Sequence, residues 1–468
     1  MNNKTFSRFI FFTIAVMGIA CLHGQTPIMT VYSDLNNCDT SIIRHWKEST
    51  SIVYAKTPTG NFFLMDNPST PSSLKCQTKL DVKDMEIVED TLYYCGTAAG
   101  ASYIGFFCIN DFFTSSVAEK KVLMPPYTNG SEIFRFQPRR LEVFHVSGGY
   151  HVVMVSDMVC PSDTIKRVMM DARSFYGATY WAVTFWAPEN LFDDRSNIFY
   201  PDDVAVTDNY VIYVGHKHQS AGIYMRKYLK INNVTYNIHY YTDAIIGPPV
   251  SNYFYNAYTF NVLGHPYGEY PVWCKHTLGD TIAIAYMSEY KYGQFGAIVK
   301  KIDVQNILNN TINLILPFSS VLNPAWAVRD IRFDKPFNTI LMLYDADNPI
   351  SSSLQSMIMT IDHTFLNNPE THYTLQNNII HHSLDKFNYI NNNFSTCGKM
   401  VGTNLSIGTH YLHLPGFESC TGLFIPYFHE IKDKLSYFEI ETDPQDFQAS
   451  QTLENSPVTT TPLDIFCE

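Results

Sequence analysis

The chain has 468 residues, of which 46% are hydrophobic, 15% aromatic and 16% charged, and its formal net charge is −12 at pH 7. An acidic surface repels phosphate groups, so this charge argues against nucleic acid as a partner and against simple electrostatic binding to anionic membranes. The 31 Tyr and 32 Phe residues suit the pleated, half-buried surface of a β-sheet. We therefore expect an all-β protein.

Residues 1–24 have the features of a secretory signal peptide. Lys4 and Arg8 give a positive start, and the apolar run Phe9–Ala20 is too short to span a bilayer comfortably. We place cleavage between Gly24 and Gln25.

Cleavage before Cys21, which would leave a lipid anchor on that cysteine, is the alternative, although Gly18 stands where a lipobox normally has a larger aliphatic residue. Removal of residues 1–24 leaves 30 basic and 44 acidic residues, a net charge of −14. No other long apolar run occurs, so we expect an exported chain without a transmembrane segment, in the periplasm, outside the cell or at its surface.

A degenerate strand pattern repeats along the remaining chain at intervals of about 40–70 residues, which indicates a radial or stacked array. Its clearest copies run from Asp84 to Phe107 and from Asp203 to Met225. Strand groups are predicted to begin near Ser41, Asp81, Leu141, Asp202, Val272, Ile331 and Leu384. The second strand of most groups is the most apolar: Ser51–Ala55, Thr91–Tyr94, His151–Val155, Val211–Val214, Thr281–Ala285 and Thr339–Leu343. Short helical stretches are predicted only at Glu189–Phe192 and Val304–Asn309.

An open sheet of so many strands would expose edges that aggregate, whereas closure into a β-propeller shields most of them. We predict a single propeller over residues 25–441, with seven blades of four-stranded antiparallel sheets. Six or eight blades, or a two-sheet solenoid, are the alternatives. Residues 442–468 show no strand pattern and are expected to form a polar tail that lies over the surface or is disordered.

The hairpin strand Asp90–Gly96, with the sequence Asp-Thr-Leu-Tyr-Tyr-Cys-Gly, resembles a structural motif of secreted, mostly uncharacterised propeller proteins of Gram-negative bacteria. Their blades often carry an Asp-Asp-Thr-hydrophobic-Tyr-hydrophobic-Gly hairpin. The resemblance covers nearly the whole mature chain and implies a propeller fold. It implies no particular activity.

Ring closure is predicted from the chain termini, because no covalent link joins the first and last blades of a propeller. The first group, Ser41–Asn67, looks short by one strand, and Met29–Tyr32 has strand character. We predict that Met29–Tyr32 is the outer strand of the final blade and pairs with Leu435–Glu441. This closure would bring Cys38 and Cys467 to the same side, where they are candidates for a disulfide.

Nine cysteines remain in the mature chain, and an exported protein can form disulfides. We predict that Cys95 and Cys108 face each other across a hairpin that turns near residue 101. They are then either bridged or packed as two buried thiols.

Three histidine groups and one acidic loop have weak metal-binding features. His216 and His218 would share one face of an extended strand, and the groups His381-His382 and His410/His413 are less specific. Zinc needs three or four ligands, and the sequence nominates no others. Asp345-Ala346-Asp347-Asn348 has the alternating acids of calcium loops but lacks the glycine and glutamate of an EF-hand. We expect no cofactor, with calcium at this loop as the candidate, and solvated loops or turns as the alternative.

Two aromatic stretches, Phe175–Trp186 and Asn252–Phe260, present the type of ring that grips the apolar face of a sugar. The alternative is that these rings pack between blades. The chain has no G-x-S-x-G or H-E-x-x-H motif. We predict a non-catalytic, exported propeller that binds a glycan or other ligand, or a protein, at the cell envelope. The alternative is a glycosidase or polysaccharide lyase, which would bring three or more acidic, basic or Tyr side chains together at one mouth of the tunnel.

Overall fold

In the computed structural model, the described residues are 29–33, 40–46, 51–57, 60–65, 72–146, 149–159, 165–175, 179–188, 199–217, 223–229, 242–246, 273–290, 294–303, 314–315, 325–334, 339–347, 354–362, 371–374, 382–390, 393–400, 406–411, 436–438, 442–462 and 464–467. Nearly all of them lie in antiparallel strands, and Ile109–Phe113 form a 3-10 turn. The described residues contain no helical segment with the length and hydrophobicity that a membrane span requires. The fold is all-β, as predicted.

The strands form consecutive groups, which we call units 1 to 7 in chain order. The N-terminal strand β1 is Met29–Ser33. Unit 1 contains β2 Thr40–Trp46, β3 Ser51–Thr57, β4 Asn61–Met65 and β5 Ser72–Gln77. Unit 2 contains β6 Asp81–Val88, β7 Thr91–Ala98, β8 Ala101–Cys108 and β9 Ser116–Met124. Unit 3 contains β11 Glu132–Val146, β12 Gly149–Val159, β13 Ile165–Phe175 and β14 Tyr180–Pro188, and the short strand β10 Tyr127–Asn129 precedes it and pairs with β11.

The remaining units follow the same arrangement. Unit 4 contains β15 Phe199–Val206, β16 Tyr210–Lys217, β17 Ile223–Leu229 and β18 Thr242–Ile246. Unit 5 contains β19 Trp273–His276, β20 Thr281–Tyr290, β21 Gln294–Asp303 and β22 Leu314–Ile315. Unit 6 contains β23 Ala325–Asp334, β24 Thr339–Asp347, β25 Leu354–Asp362 and β26 Thr371–Thr374. Unit 7 contains β27 His382–Ile390, β28 Asn393–Met400 and β29 Ser406–Tyr411, and the C-terminal strands are β30 Ser436–Phe438, β31 Thr442–Pro462 and β32 Asp464–Cys467.

Within each unit, strands that are consecutive in the chain pair antiparallel to one another. All six second strands named in the sequence analysis are strands in the structure. The two predicted helical stretches, Glu189–Phe192 and Val304–Asn309, lie outside the described residues. The alternation of apolar and polar residues therefore located these second strands.

The first strands of the units pack against one another. Strand β6 contacts β2 and β11, β15 contacts β11 and β19, β23 contacts β19 and β27, and β27 contacts β2. These contacts return to the strand from which they start. The arrangement is consistent with a β-propeller-like fold.

Packing between successive units supplies the hydrophobic core. One cluster fills the space between units 1 and 2 and includes the buried Phe62, Tyr94 and Phe107. The next lies between units 2 and 3 and includes Tyr93 and Trp181. Aromatic side chains therefore hold neighbouring sheets face to face, which accounts for the aromatic content of the chain.

The C-terminal segment corrects the prediction of a polar tail over residues 442–468. Strand β31 pairs in turn with β14, β9 and β5, the outer strands of units 3, 2 and 1, and it joins these units into one 14-stranded sheet. Although the sequence of β31 is mostly polar, three of its side chains contribute to the core. Ala449 is buried in the cluster between units 2 and 3, and Phe447 packs against that cluster. Val458 packs against the cluster between units 1 and 2. Glu454 on this strand also accepts a 2.8 Å hydrogen bond from Lys121 Nζ.

Strand β1 joins the last unit, as predicted, but its partners differ from those expected. It pairs with β29 on one side and with β32 on the other. The expected partner segment, Leu435–Glu441, contains β30, which instead pairs with β18 of unit 4. Unit 1 is not short, because Ser72–Gln77 supplies its fourth strand. Strand β1 instead adds a fourth strand to unit 7, beside β29.

Candidate functional site

Four charged side chains on the first strands define what we call the axial cluster: Glu86, Glu142, Lys275 and Arg332. In units 2, 3 and 6, the first strand contains a register shift immediately before Asp84, Arg140 and Asp330 respectively. Alternate residues of a strand share a face, so the residue two positions later points to the same side. That position holds Glu86, Glu142 and Arg332, and Lys275 lies on the first strand of unit 5.

Lys275 meets Glu142 and Glu86, although its unit is not a neighbour of either of theirs. Lys275 Nζ, in unit 5, lies 2.5 Å from Glu142 Oε1 in unit 3 and 4.0 Å from Glu86 Oε2 in unit 2. Contacts across one or two intervening units are possible where the first strands surround a common centre. The cluster therefore marks the middle of the array of first strands.

Burial and opposite charge set the ionisation of the cluster. Burial raises the pKa of Glu142 from 4.5 to about 7, with Lys275 opposing the shift and Glu86 adding to it. Burial alone would lower the pKa of Lys275, but the carboxylates of Glu142 and Glu86 outweigh it and raise this pKa above its ordinary value. Near neutral pH, the cluster thus holds a charged ammonium beside a carboxyl group that is close to its own titration point.

The cluster remains accessible to solvent in part. The side chains of Glu86, Glu142 and Lys275 are 21%, 17% and 23% exposed, and that of Arg332 is 13% exposed. Arg332 Nη2 lies 3.1 Å from Asp330 Oδ2. The cluster therefore offers hydrogen-bond donors and acceptors of both charges to a ligand.

A second layer of side chains lies two residues earlier on the same strands. The Arg140 guanidinium stacks over the Trp273 ring, 4.4 Å from its centroid. Burial raises the pKa of Asp203 to about 6, and Arg140 opposes this shift. Asp84 and Asp203 are both buried and both accept backbone hydrogen bonds. This layer forms a packed polar support beneath the axial cluster.

The predicted pairing of Cys95 with Cys108 is wrong. The hairpin register places Cys95 opposite Ile104 and Cys108 opposite Thr91, and both cysteines are free. The turn lies at Ala99-Gly100, both with positive φ, rather than near residue 101. Cys467 lies in β32, opposite Thr30 of β1. Cys38 lies outside the described residues, so its pairing with Cys467 stays a prediction.

The predicted metal-binding groups are strand residues where the structure describes them. His216 lies in β16, His382 in β27 and His410 in β29, while His218, His381 and His413 lie outside the described residues. Asp345 and Asp347 end strand β24, and Asn348 is likewise outside. Among the residues that the structure describes, no group of three or more His, Cys, Asp or Glu side chains is placed to hold a metal ion.

The two predicted aromatic stretches have different outcomes. Within Phe175–Trp186, Trp181 and Phe185 are buried between sheets, whereas Tyr180 is exposed. The packing alternative therefore applies to the rings of Trp181 and Phe185. The stretch Asn252–Phe260 lies outside the described residues.

Sequence analysis did not identify the axial cluster. Glu86 was seen only as part of a strand. A signal exists in hindsight, since Glu86, Glu142 and Arg332 occupy the same position in their units, two residues after the register shift. In the hairpin registers, Glu86, Lys275 and Arg332 each stand opposite the third residue of the second strand of their unit.

Comparison with protein-family models gives no match to this chain, and no curated protein is significantly similar to it.

Proposed function

We propose that this protein is an exported, non-catalytic, seven-bladed β-propeller that binds a ligand at the axial cluster. The observation that carries the proposal is the convergence of Lys275, Glu142 and Glu86 from three units. Polar groups that converge on a partly exposed concave site are the usual basis of ligand recognition.

The cyclic contacts of the first strands support the seven-bladed interpretation. Each unit contributes one first strand, and the order of contacts leads from β2 through β27 and back to β2. In this proposal β1 supplies the fourth strand of the last blade and β32 lies outside it, which closes the ring between the two termini. Size-exclusion chromatography with small-angle scattering tests the shape, because an open stack of seven units would give a clearly larger radius of gyration than a closed ring.

The charges of the site favour a neutral, hydroxyl-rich ligand such as a glycan, or a polar segment of a protein. The axial cluster combines two acidic and two basic side chains, so it has little net charge and many hydrogen-bonding atoms. Nucleic acid is a poor partner for it, because the chain as a whole carries a net charge of −12.

A glycan array with the purified mature protein, residues 25–468, tests the proposal. Wild type should bind a defined set of glycans, and Glu142→Gln and Lys275→Met should lose that binding. Lys83→Met is the matched control, since Lys83 forms a 2.6 Å ion pair with Asp81 on the surface of β6. Binding that is the same in all four proteins would rule out the axial cluster as the site.

One observation favours a glycan-active enzyme as a second candidate. A carboxyl group with a pKa of about 7 is suited to act as a general acid, and Glu142 has such a pKa. Glu86 lies close enough to share Lys275 with it, and paired carboxyl groups perform glycoside hydrolysis. Against this role, the carboxyl group of Glu142 is already paired with the ammonium group of Lys275.

A reducing-sugar release assay on the glycans that bind separates the two candidates. An enzyme would release sugar with wild type and not with Glu142→Gln, whereas a binding protein would release none with either. Wild type that binds without release supports the non-catalytic proposal.

Export is proposed from the N-terminal sequence. Lys4, Arg8 and the apolar run Phe9–Ala20 support a signal peptide that is cleaved before Gln25. Intact mass of the protein from the producing cell tests this, because a chain that starts at Gln25 differs from a lipid-modified chain that starts at Cys21. An uncleaved N-terminus would contradict export by this route.

A further inference from the structure

Two buried aspartates make hydrogen bonds across the boundaries between units. Asp84 Oδ2 in unit 2 accepts the backbone N–H of Leu141 in unit 3, at 3.1 Å. Asp203 Oδ2 in unit 4 accepts the backbone N–H of Cys274 in unit 5, at 2.9 Å. The other oxygen of Asp203 accepts the N–H of Val204 in its own strand, at 3.0 Å.

The donors of these bonds stand immediately before two members of the axial cluster. Leu141 precedes Glu142, and Cys274 precedes Lys275. In a strand, the orientation of one peptide group sets the direction in which the next side chain leaves the backbone. A carboxylate that fixes the Cys274 amide therefore also fixes where Lys275 points.

We propose that Asp84 and Asp203 are positioning residues, which hold Glu142 and Lys275 in contact from the neighbouring unit. This inference rests on the proposed function, since the pair that they align lies at the proposed ligand site. Each aspartate is nearly fully buried, with 4% and 8% exposure. A carboxylate that accepts backbone N–H groups in such a place makes strong, charge-assisted hydrogen bonds.

Asp330 in unit 6 makes local contacts of the same kind as Asp203. Its Oδ1 atom accepts the N–H of Ile331 in the same strand at 3.0 Å, and its Oδ2 atom contacts Arg332, also in that strand. Asp203 makes the equivalent local bond to Val204, and its other oxygen binds the next unit. The bonds of Asp203 and Asp84 to the next unit are the feature that assigns them a positioning role.

Competitive acetylation of the full chain with acetic anhydride tests the proposal without a ligand. Mass spectrometry then gives the reactivity of Lys275 as a function of pH, relative to the exposed Lys120 as an internal reference. Wild type should show a strongly protected Lys275, because its ammonium is held against Glu142. The variants are Asp203→Ala, Asp203→Asn and Asp84→Ala, and Asp81→Ala is a control on the same strand as Asp84.

Asp203→Ala should increase the acetylation of Lys275 at a fixed pH, by about tenfold for each unit by which its apparent pKa falls. Asp84→Ala should act in the same direction by releasing Glu142. Asp203→Asn should stay near wild type, because the amide oxygen still accepts the Cys274 N–H. Asp81→Ala should have no effect.

Folded Asp203→Ala and Asp84→Ala proteins with the wild-type reactivity of Lys275 would overturn the proposal. If Asp203→Ala does not fold, Asp203→Glu gives the same test, since its longer side chain displaces the carboxylate from the Cys274 amide. Failure of the proposed function looks different: Lys275→Met and Glu142→Gln would keep glycan binding, while the acetylation of Lys275 would still respond to residue 203.

Discussion

Lys275 Nζ lies 2.5 Å from Oε1 of Glu142, although the two residues belong to units 5 and 3 and stand 133 positions apart in the chain. Unit 4, with the first strand β15, lies between their two units in the chain. This pair is the centre of the proposed ligand site. It is also a charged contact between two units that are not consecutive in the chain.

The first prediction concerns the pH dependence of stability at Glu142. Burial raises the pKa of Glu142 from 4.5 to about 7, so the folded state keeps a proton that the unfolded chain loses over this interval. The free energy of unfolding should therefore fall as pH rises from about 4.5 to about 7. Glu142→Gln should remove this part of the decrease.

Urea denaturation at a series of pH values measures the effect. The difference in the free energy of unfolding between Glu142→Gln and wild type should change in favour of the variant as pH rises. Glu132→Gln, at an exposed position of the same strand, is the control and should show no such trend. A constant difference for Glu142→Gln would contradict the raised pKa.

The second prediction concerns Phe447 of the C-terminal strand. Its ring stacks on Phe136 with centroids 5.9 Å apart and contacts Phe185 at 6.2 Å. Because Phe447 completes the core between units 2 and 3, Phe447→Ala should lower the free energy of unfolding by about 2–3 kcal/mol. Gln448→Ala, at the adjacent exposed position, should change it little. Equal stability of the two variants would show that β31 only covers the surface.

The third prediction concerns the N-terminal strand. Strand β1 lies between β29 and β32 and joins the start of the chain to its last unit. Deletion of residues 29–33 should lower the melting temperature by many degrees, because both partner strands lose a ladder of hydrogen bonds. Deletion of residues 25–28, which leaves β1 intact, is the control. A melting temperature within a degree or two of the parent, with β1 removed, would mean that the last unit is held by other contacts.

The fourth prediction concerns Gly105, which lies beneath the ring of Tyr94. A Cβ atom on Gly105 would overlap Cζ of the Tyr94 ring, and this ring is fully buried. Gly105→Ala should therefore cost about 1–3 kcal/mol through overpacking. The cost should shrink in a Tyr94→Leu background, as a double-mutant cycle would measure. The same cost in both backgrounds would assign the effect to the backbone.

The fifth prediction concerns the cysteines of unit 2. Burial raises the pKa of the Cys95 thiol well above its ordinary value, whereas Cys108 is partly exposed. Iodoacetamide should modify Cys108 in the folded protein and spare Cys95 until the protein is unfolded, because the thiolate is the reactive form. Peptide mapping without reductant gives the result. A linked Cys95–Cys108 peptide would contradict the hairpin register.

In the hairpin of β7 and β8, the strands were predicted correctly but their register was not. The apolar runs Thr91–Tyr94 and Tyr103–Phe107 correctly predicted two paired strands. The two-residue turn at Ala99-Gly100 sets the register, and an expected turn near residue 101 placed Cys108 opposite Cys95. A small error in the position of a turn moves every cross-strand partner.

Most strands and their grouping can be read from the sequence, because a strand that buries one face shows its alternation within a few neighbouring residues. The other features depend on tertiary contacts. Strand β31 is polar along most of its length, so its sequence shows no strand pattern. It is a strand because it pairs with the outer strands of three units. The axial cluster likewise depends on contacts between units that are distant in the chain. Local preference locates strands, but the closure of the array selects which charged residues meet.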